Sequence, residues 1–542
     1  MPLSKDSADD NSLLFPKGPA NTPSTPLTAG SNKFPAPQIG TRAASAAHTS
    51  LPADAGKMPF PPDLSDASVP LDSANPIYEP VLTKDEMAEI STRKMRILLP
   101  SETARRARAS MAEIATKKMT VTLPASKNGV TVEPALDRPA HPAKEAWLHW
   151  YSALKKILPV YVAVHLALFV ISCLSFLYNN HDFALVIRPV SLLWTQWRHW
   201  DTGNYIQIAL HGYEKLQQMA FFPLYPLLER GVMTFTGDAF TAGLIVSNVA
   251  ELVMFTVLYR LIEHEFGVER AFHTVLYFAI FPTAFFFSLG YTESTFLCFS
   301  LLTFYQIQRG RWWLAALFGF LASLTRADGV FLVIPFCYEY LRQKWPQDVT
   351  SLGAFLTPKQ IFALLKSIRL DILIAFCIPL GIVCLMVYGH DTYGDLLAFV
   401  HAHEYWNRSV TIPGYNILAA LRAIRDHGLI SFTGMRTLTD LLPDALIGLL
   451  LLLCFIGKWR MPPRLWGYVL YALVIYIYLQ IFIKSGTFPL ESMSRFMLEL
   501  FPAFILLSNI RRNRLLHFSY LMASLALFFF LASQFAAGHW VL

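Results

Sequence analysis

Apolar stretches of about 20 residues recur between residues 157 and 537, and that recurrence limits what this chain can fold into. A helix of about 20 apolar residues crosses the hydrocarbon core of a bilayer. Only helices and closed barrels can cross it with every backbone polar group satisfied. The stretches do not alternate in short units, so a transmembrane β-barrel is excluded. The fold class expected is therefore an all-α polytopic membrane protein. We expect about eleven spans, near 157–177, 239–261, 271–289, 292–308, 312–325, 329–341, 370–389, 442–457, 465–484, 496–510 and 516–537.

Composition agrees. Of the 542 residues 54% are hydrophobic and 15% charged, and the mean hydropathy is +0.39. A soluble domain carries about 25% charged residues. The polarity is concentrated in residues 1–145, which hold 33 of the 83 charged side chains and 19 of the 34 prolines. Two regions are expected: a disordered polar tail over 1–145 and a transmembrane domain over 146–542. The tail lacks the short charged stretch and apolar core of a signal peptide. It does contain a duplication, since Met87-Ala88-Glu89-Ile90 recurs as Met111-Ala112-Glu113-Ile114. Two copies are too few for a solenoid, and the segment reads either as a docking element or surface-binding amphipathic helix, or as a neutral duplication. The six cysteines lie in apolar runs without Cys-x-x-Cys spacing, so neither disulfides nor a thiolate metal site are expected.

Charge orients the domain. Lys155 and Lys156 precede the first span and place the N-terminus in the cytoplasm. Alternation then puts basic residues in every cytoplasmic loop, which accounts for the net charge of +7 without nucleic-acid binding. The same alternation gathers the dense polar and aromatic clusters on the non-cytoplasmic side. These are Trp200-Asp201, the run from Ala220 to Pro226, Tyr291-Thr292-Glu293-Ser294, Thr325-Arg326-Ala327-Asp328-Gly329 and Ser492-Met493-Ser494-Arg495-Phe496. A scaffold has no reason to collect them on one face, whereas an enzyme or transporter working there does. His390, His401, His403 and Glu404 fix no ligand geometry, so no metal site is assigned, although a divalent cation stays open as a cofactor. Asn407-Arg408-Ser409 is a glycosylation sequon, relevant only in a eukaryotic secretory pathway.

In order, Trp197-Arg198-His199-Trp200-Asp201-Thr202-Gly203-Asn204-Tyr205, Ala-Phe-Phe-Pro-Leu-Tyr-Pro, Tyr-Thr-Glu-Ser, Leu-Thr-Arg-Ala-Asp-Gly and Ser-Met-Ser-Arg-Phe resemble the PIG-V family, the GPI mannosyltransferase II group and its bacterial relatives. The likeness covers about residues 150–540, and Phe496 stands where the family usually has Tyr. It implies a GT-C helical bundle with a large first outer loop of amphipathic segments and an active site on the non-cytoplasmic face. It implies a polyprenyl-phosphate sugar donor, inverting mannosyl transfer to a lipid or glycolipid hydroxyl, and residence in the cell membrane, or in the endoplasmic reticulum membrane of a eukaryote.

Such chemistry needs one carboxylate to take the hydroxyl proton and cations to stabilise the leaving phosphate. The resemblance makes Asp201 the base and gives Arg326 and Arg495 the phosphate. Trp200, Tyr205, Phe221, Phe222, Tyr225 and Glu293 become the substrate-binding set. Each has a plainer alternative. Asp201 could cap a helix starting at Thr202, Glu293 could complement a helix dipole, the arginines could snorkel from span ends, and the aromatics could be interfacial anchors. Two other functions stay open. A lipid-linked-sugar flippase would want charges deep in the spans, where Glu251 is the main acidic residue. A GT-C enzyme using another sugar or a protein acceptor would show the same motifs.

Overall fold

The computed structural model describes residues 142–179, 191–344, 362, 366, 368–484 and 486–541. The chain divides into two units, Met1–Gly129 and Val130–Leu542. The first unit lies outside the described residues, as do the duplicated segment and nearly all of the tail expected over 1–145.

The described part is helical apart from one two-stranded antiparallel ribbon, Arg408–Val410 against Phe482–Lys484. Among the described residues four helices are long and apolar enough to cross a membrane: Trp147–Tyr178, Ala239–Phe266, Pro463–Ile481 and Arg514–Ala536. Two bent pairs, Leu370–Cys377 with Leu380–Tyr393 and Met493–Glu499 with Phe501–Arg512, raise the number to six if each is one span. The polytopic all-α class stands, and these six coincide with expected spans. The count of eleven does not follow from helix length.

Physical reasons account for the difference. The stretch expected over 292–308 forms the helix Glu293–Gln308, buried along nearly its whole length. At 1.5 Å per residue it is about 24 Å long, short of the ~30 Å hydrocarbon core. It packs between Ala239–Phe266 and Trp312–Thr325. A helix enclosed by protein is apolar all round, as a lipid-facing one is. The stretch expected over 271–289 is helical only over Val268–Ala279, and a 3-10 turn follows at Ala284–Phe287. The stretch over 329–341 is a 3-10 turn, Ala327–Leu332, leading into Val333–Lys344.

Two amphipathic helices, Asp201–His211 and Leu224–Thr236, follow the first long helix, as expected of the first loop. Pro223 occupies the N-cap position of the second and Pro226 sits in its first turn, where no helical N–H is lost. The helix Asp201–His211, the segment 220–222, the bent segment around Arg495 and the ribbon line one cavity.

Candidate active site

The cavity is about 210 Å³. Its wall combines the polar clusters that are dispersed in sequence. Trp200, Asp201, Tyr205, Phe221, Phe222, Glu293, Arg326 and Arg495 all line it. Tyr225 alone of the nine expected site residues stands behind the wall. It packs against the Tyr205 ring with centroids 4.9 Å apart. Its hydroxyl donates to the Gly243 carbonyl at 3.0 Å and lies 2.8 Å from Ser247 Oγ. Tyr225 thus supports Tyr205 and does not face the cavity.

Asp201 opens the helix Asp201–His211, with Trp200 at the N-cap position, and no side chain caps that helix. The expectation that Asp201 caps a helix starting at Thr202 is therefore not met. One carboxylate oxygen, Oδ2, accepts from Arg495 Nη1 at 2.9 Å. Among the described residues no hydrogen bond engages Oδ1.

Arg495 is held by its own motif. Ser494 donates to Asp440 Oδ1 from its backbone N at 3.0 Å and its Oγ at 2.7 Å. Thr283 Oγ1 donates to the Ser494 carbonyl at 2.9 Å. Ser492, just before, sits in the left-handed region at φ 69°. The three non-glycine residues with positive φ among those described are Trp200, Asn407 and Ser492. Trp200 and Ser492 line the cavity, and Asn407 lies between the lining residues Trp406 and Arg408. Such backbone strain concentrates at functional sites.

Below Asp201 lies a buried ion network. Glu293 Oε1 is 3.3 Å from Arg495 Nε and 3.2 Å from Arg326 Nη1. Arg326 also reaches Glu499 Oε1 at 2.7 Å and Asp328 Oδ2 at 3.6 Å. Burial disfavours the charge on Arg326, but Glu499, Glu293 and Asp328 outweigh burial and raise its pKa above that of a free guanidinium. Arg326 therefore does not snorkel, and its charge is committed to three carboxylates. The Phe496 ring lies against three guanidinium groups, those of Arg495, Arg326 and Arg408, at 5.1, 5.2 and 5.4 Å. Each such contact contributes about 0.5–1 kcal/mol or more where water is excluded.

From sequence alone Arg408, Lys484 and Glu491 in the wall and Glu499 beneath it have no site role, and His403, weighed there only as a metal ligand, also lines the wall. Glu499 follows Arg495 by one helical turn but falls in a stretch read as a span. Arg408 lies within the sequon. Burial and neighbouring Arg408 lower His403 from its ordinary 6.5 to about 4. Among the described residues no three His, Cys, Asp or Glu side chains converge to hold a metal ion.

Residues 173–399 match the family model described as Mannosyltransferase (PIG-V). This part of the chain is similar to the PIG-V family. The match takes in Trp200, Asp201, the Ala220–Pro226 run, Glu293 and Arg326. It is narrower than the likeness read from the motifs, and leaves Arg408, Lys484, Glu491 and Arg495 outside it. GPI alpha-1,6-mannosyltransferase 2 of Homo sapiens is 27% identical over 191 residues, 32% of this chain and 37% of that protein. GPI mannosyltransferase 2 of Schizosaccharomyces pombe is 28% identical over 191 residues, 34% of this chain and 41% of that protein. The chain thus spans well under half the length of these PIG-V relatives. Among solved structures, ArnT from Cupriavidus metallidurans bound to undecaprenyl phosphate aligns with 68% of this chain and 62% of its own, at 15% identity and a TM-score of 0.39.

Proposed function

We propose that this protein is a membrane mannosyltransferase. It moves a mannosyl residue from a polyprenyl phosphate to a hydroxyl of a lipid or glycolipid, on the non-cytoplasmic face of a GT-C bundle whose N-terminus is cytoplasmic. The observation that carries the reading is the exposure of Asp201 within a cavity to which the segment matching the PIG-V model contributes 14 of 29 lining residues. Its side chain is 23% exposed. The other acids at the cavity are closed off: Glu293 at 1%, Asp328 at 6% and Glu491 at 8%. A substrate entering from solvent meets one carboxylate.

The chemistry then follows. The acceptor hydroxyl gives its proton to Asp201 Oδ1 while Arg495 holds Oδ2. The hydroxyl oxygen forms a bond to the anomeric carbon from the face opposite the phosphate. The bond from that carbon to the phosphate oxygen breaks, and its electron pair leaves on the polyprenyl phosphate. Configuration inverts, and a second catalytic carboxylate is not required. Trp200, Tyr205, Phe221 and Phe222 offer apolar faces to the sugar and to the first prenyl units. Glu293 orients Arg495, and Arg326 orients Glu293.

The test supplies the purified chain with polyprenyl-phosphate mannose and a glycolipid acceptor, and analyses the product by mass spectrometry and anomeric assignment. A mannosylated lipid of inverted configuration supports the reading. Movement of the donor across vesicles without a glycosylated product would replace it with the flippase.

A further inference from the structure

We propose that Arg408 and Lys484, facing each other across the two-stranded ribbon, form the cradle for the donor's phosphate. For the identity of the lipid that carries the phosphate, this rests on the mannosyltransferase reading.

Three observations lead there. The first is strand register. Arg408 pairs directly with Lys484 in the antiparallel ribbon, and both side chains line the cavity. Like charges directly opposite each other weaken a strand pair, and an isolated two-stranded ribbon is marginal already. A local rule broken at a cavity wall points to function.

The second is the state of the cations. Arg326 faces three carboxylates, those of Glu293, Asp328 and Glu499. Arg495 faces two, those of Asp201 and Glu293. That cluster sets two cations against four carboxylates, so both guanidinium groups already have carboxylate partners. Arg408 ion-pairs with no carboxylate among the described residues. Its Nη2 donates to the Glu491 backbone carbonyl at 3.4 Å. Lys484 shares the cavity's remaining acid, pairing with Glu491 Oε1. Arg408, Lys484 and Glu491 together carry a formal +1. Burial and the charge of Arg495 lower the Arg408 pKa by more than Glu491 and Asp201 raise it.

The third is the surroundings. The Arg408 guanidinium lies on the Phe496 ring at 5.4 Å, which leaves its N–H groups other than the one on the Glu491 carbonyl for a ligand. Lys484 Nζ lies 5.4 Å from the Trp540 ring, whose neighbour is Trp200 at 4.2 Å. An arginine fork with a lysine beside it suits two phosphate oxygens.

The experiment titrates the purified full-length protein with sugar-free undecaprenyl phosphate and, in parallel, with phosphatidylinositol, by native mass spectrometry in detergent. Arg408→Ala, Arg408→Lys and Lys484→Ala are compared, with melting temperature as the folding check. We expect the dissociation constant for undecaprenyl phosphate to rise at least tenfold in Arg408→Ala, and less in Arg408→Lys and Lys484→Ala. Phosphatidylinositol binding should be unchanged. Undiminished undecaprenyl phosphate binding in the folded variants overturns the cradle and leaves the mannosyltransferase reading intact. Should Arg408→Ala not fold, Arg408→Lys and Lys484→Ala decide in the same way. Loss of phosphatidylinositol binding alone would make the cradle an acceptor site and overturn its assignment to the donor. No binding of undecaprenyl phosphate by the unaltered protein would overturn the donor reading and the cradle together.

Discussion

Arg326 and Arg495 share one oxygen atom, Oε1 of Glu293, which lies 3.2 Å from Nη1 of the first and 3.3 Å from Nε of the second. Two buried guanidinium groups this close repel each other, and Glu293 is the charge between them. Glu293→Gln keeps the shape and removes that charge. Breaking a buried ion pair from one side typically destabilises by about 3–5 kcal/mol. The melting temperature in detergent should fall by several degrees, and transfer should fall with it. An unchanged melting temperature would mean that the network does not hold the cavity floor together.

Gly329 closes the Leu-Thr-Arg-Ala-Asp-Gly motif. A Cβ at this position would fall 2.5 Å from the Ala322 carbonyl carbon and onto the Ser323 backbone nitrogen. Backbone atoms cannot move aside as a flexible side chain can. The turn Ala327–Leu332 would have to lift off the helix Trp312–Thr325 and carry Arg326 and Asp328 with it. Gly329→Ala should lose about 1–3 kcal/mol of stability, the usual range for overpacking, together with activity. Thermal unfolding checks this, and a stable, active Gly329→Ala would show that the turn does not sit this close.

His403 supplies a pH dependence. Its pKa is lowered from 6.5 to about 4 in the folded protein. Between those values the unfolded chain binds the extra proton and the native protein does not. Stability rises with pH wherever the unfolded state binds more protons. The His403 contribution is therefore complete above about pH 6.5 and is lost as the pH falls toward 4. His403→Asn should show a shallower loss of melting temperature between pH 7 and pH 5 than the unaltered protein. Parallel curves would contradict it.

The sequence carried some of these features and hid others. The long helices Trp147–Tyr178, Ala239–Phe266 and Arg514–Ala536 were readable because a bilayer sets a minimum length. Glu293–Gln308 was read as a further span because burial in protein and burial in lipid select the same residues. Asp201, Arg326 and Arg495 stood out as charges beside apolar runs. Their partnerships did not, because Asp201 and Arg495 are 294 residues apart and only the fold joins them. Arg408 was unreadable for a different reason. Its significance lies in its register with Lys484 and in the missing carboxylate, and neither is local. The strained backbone at Trp200 and Ser492 was equally silent, since neither residue is the glycine that usually marks positive φ.

The most direct test of the central claim is the turnover of Asp201→Asn in the purified transfer assay. The substitution keeps size and leaves an oxygen to accept from Arg495. It removes the group able to take the acceptor proton. General-base catalysis contributes about 10²–10⁴-fold. The account predicts a fall in kcat of at least a hundredfold in a protein that still folds and still binds undecaprenyl phosphate, with a lower melting temperature because buried Arg495 loses a carboxylate partner. Turnover at the unaltered rate in Asp201→Asn would contradict it.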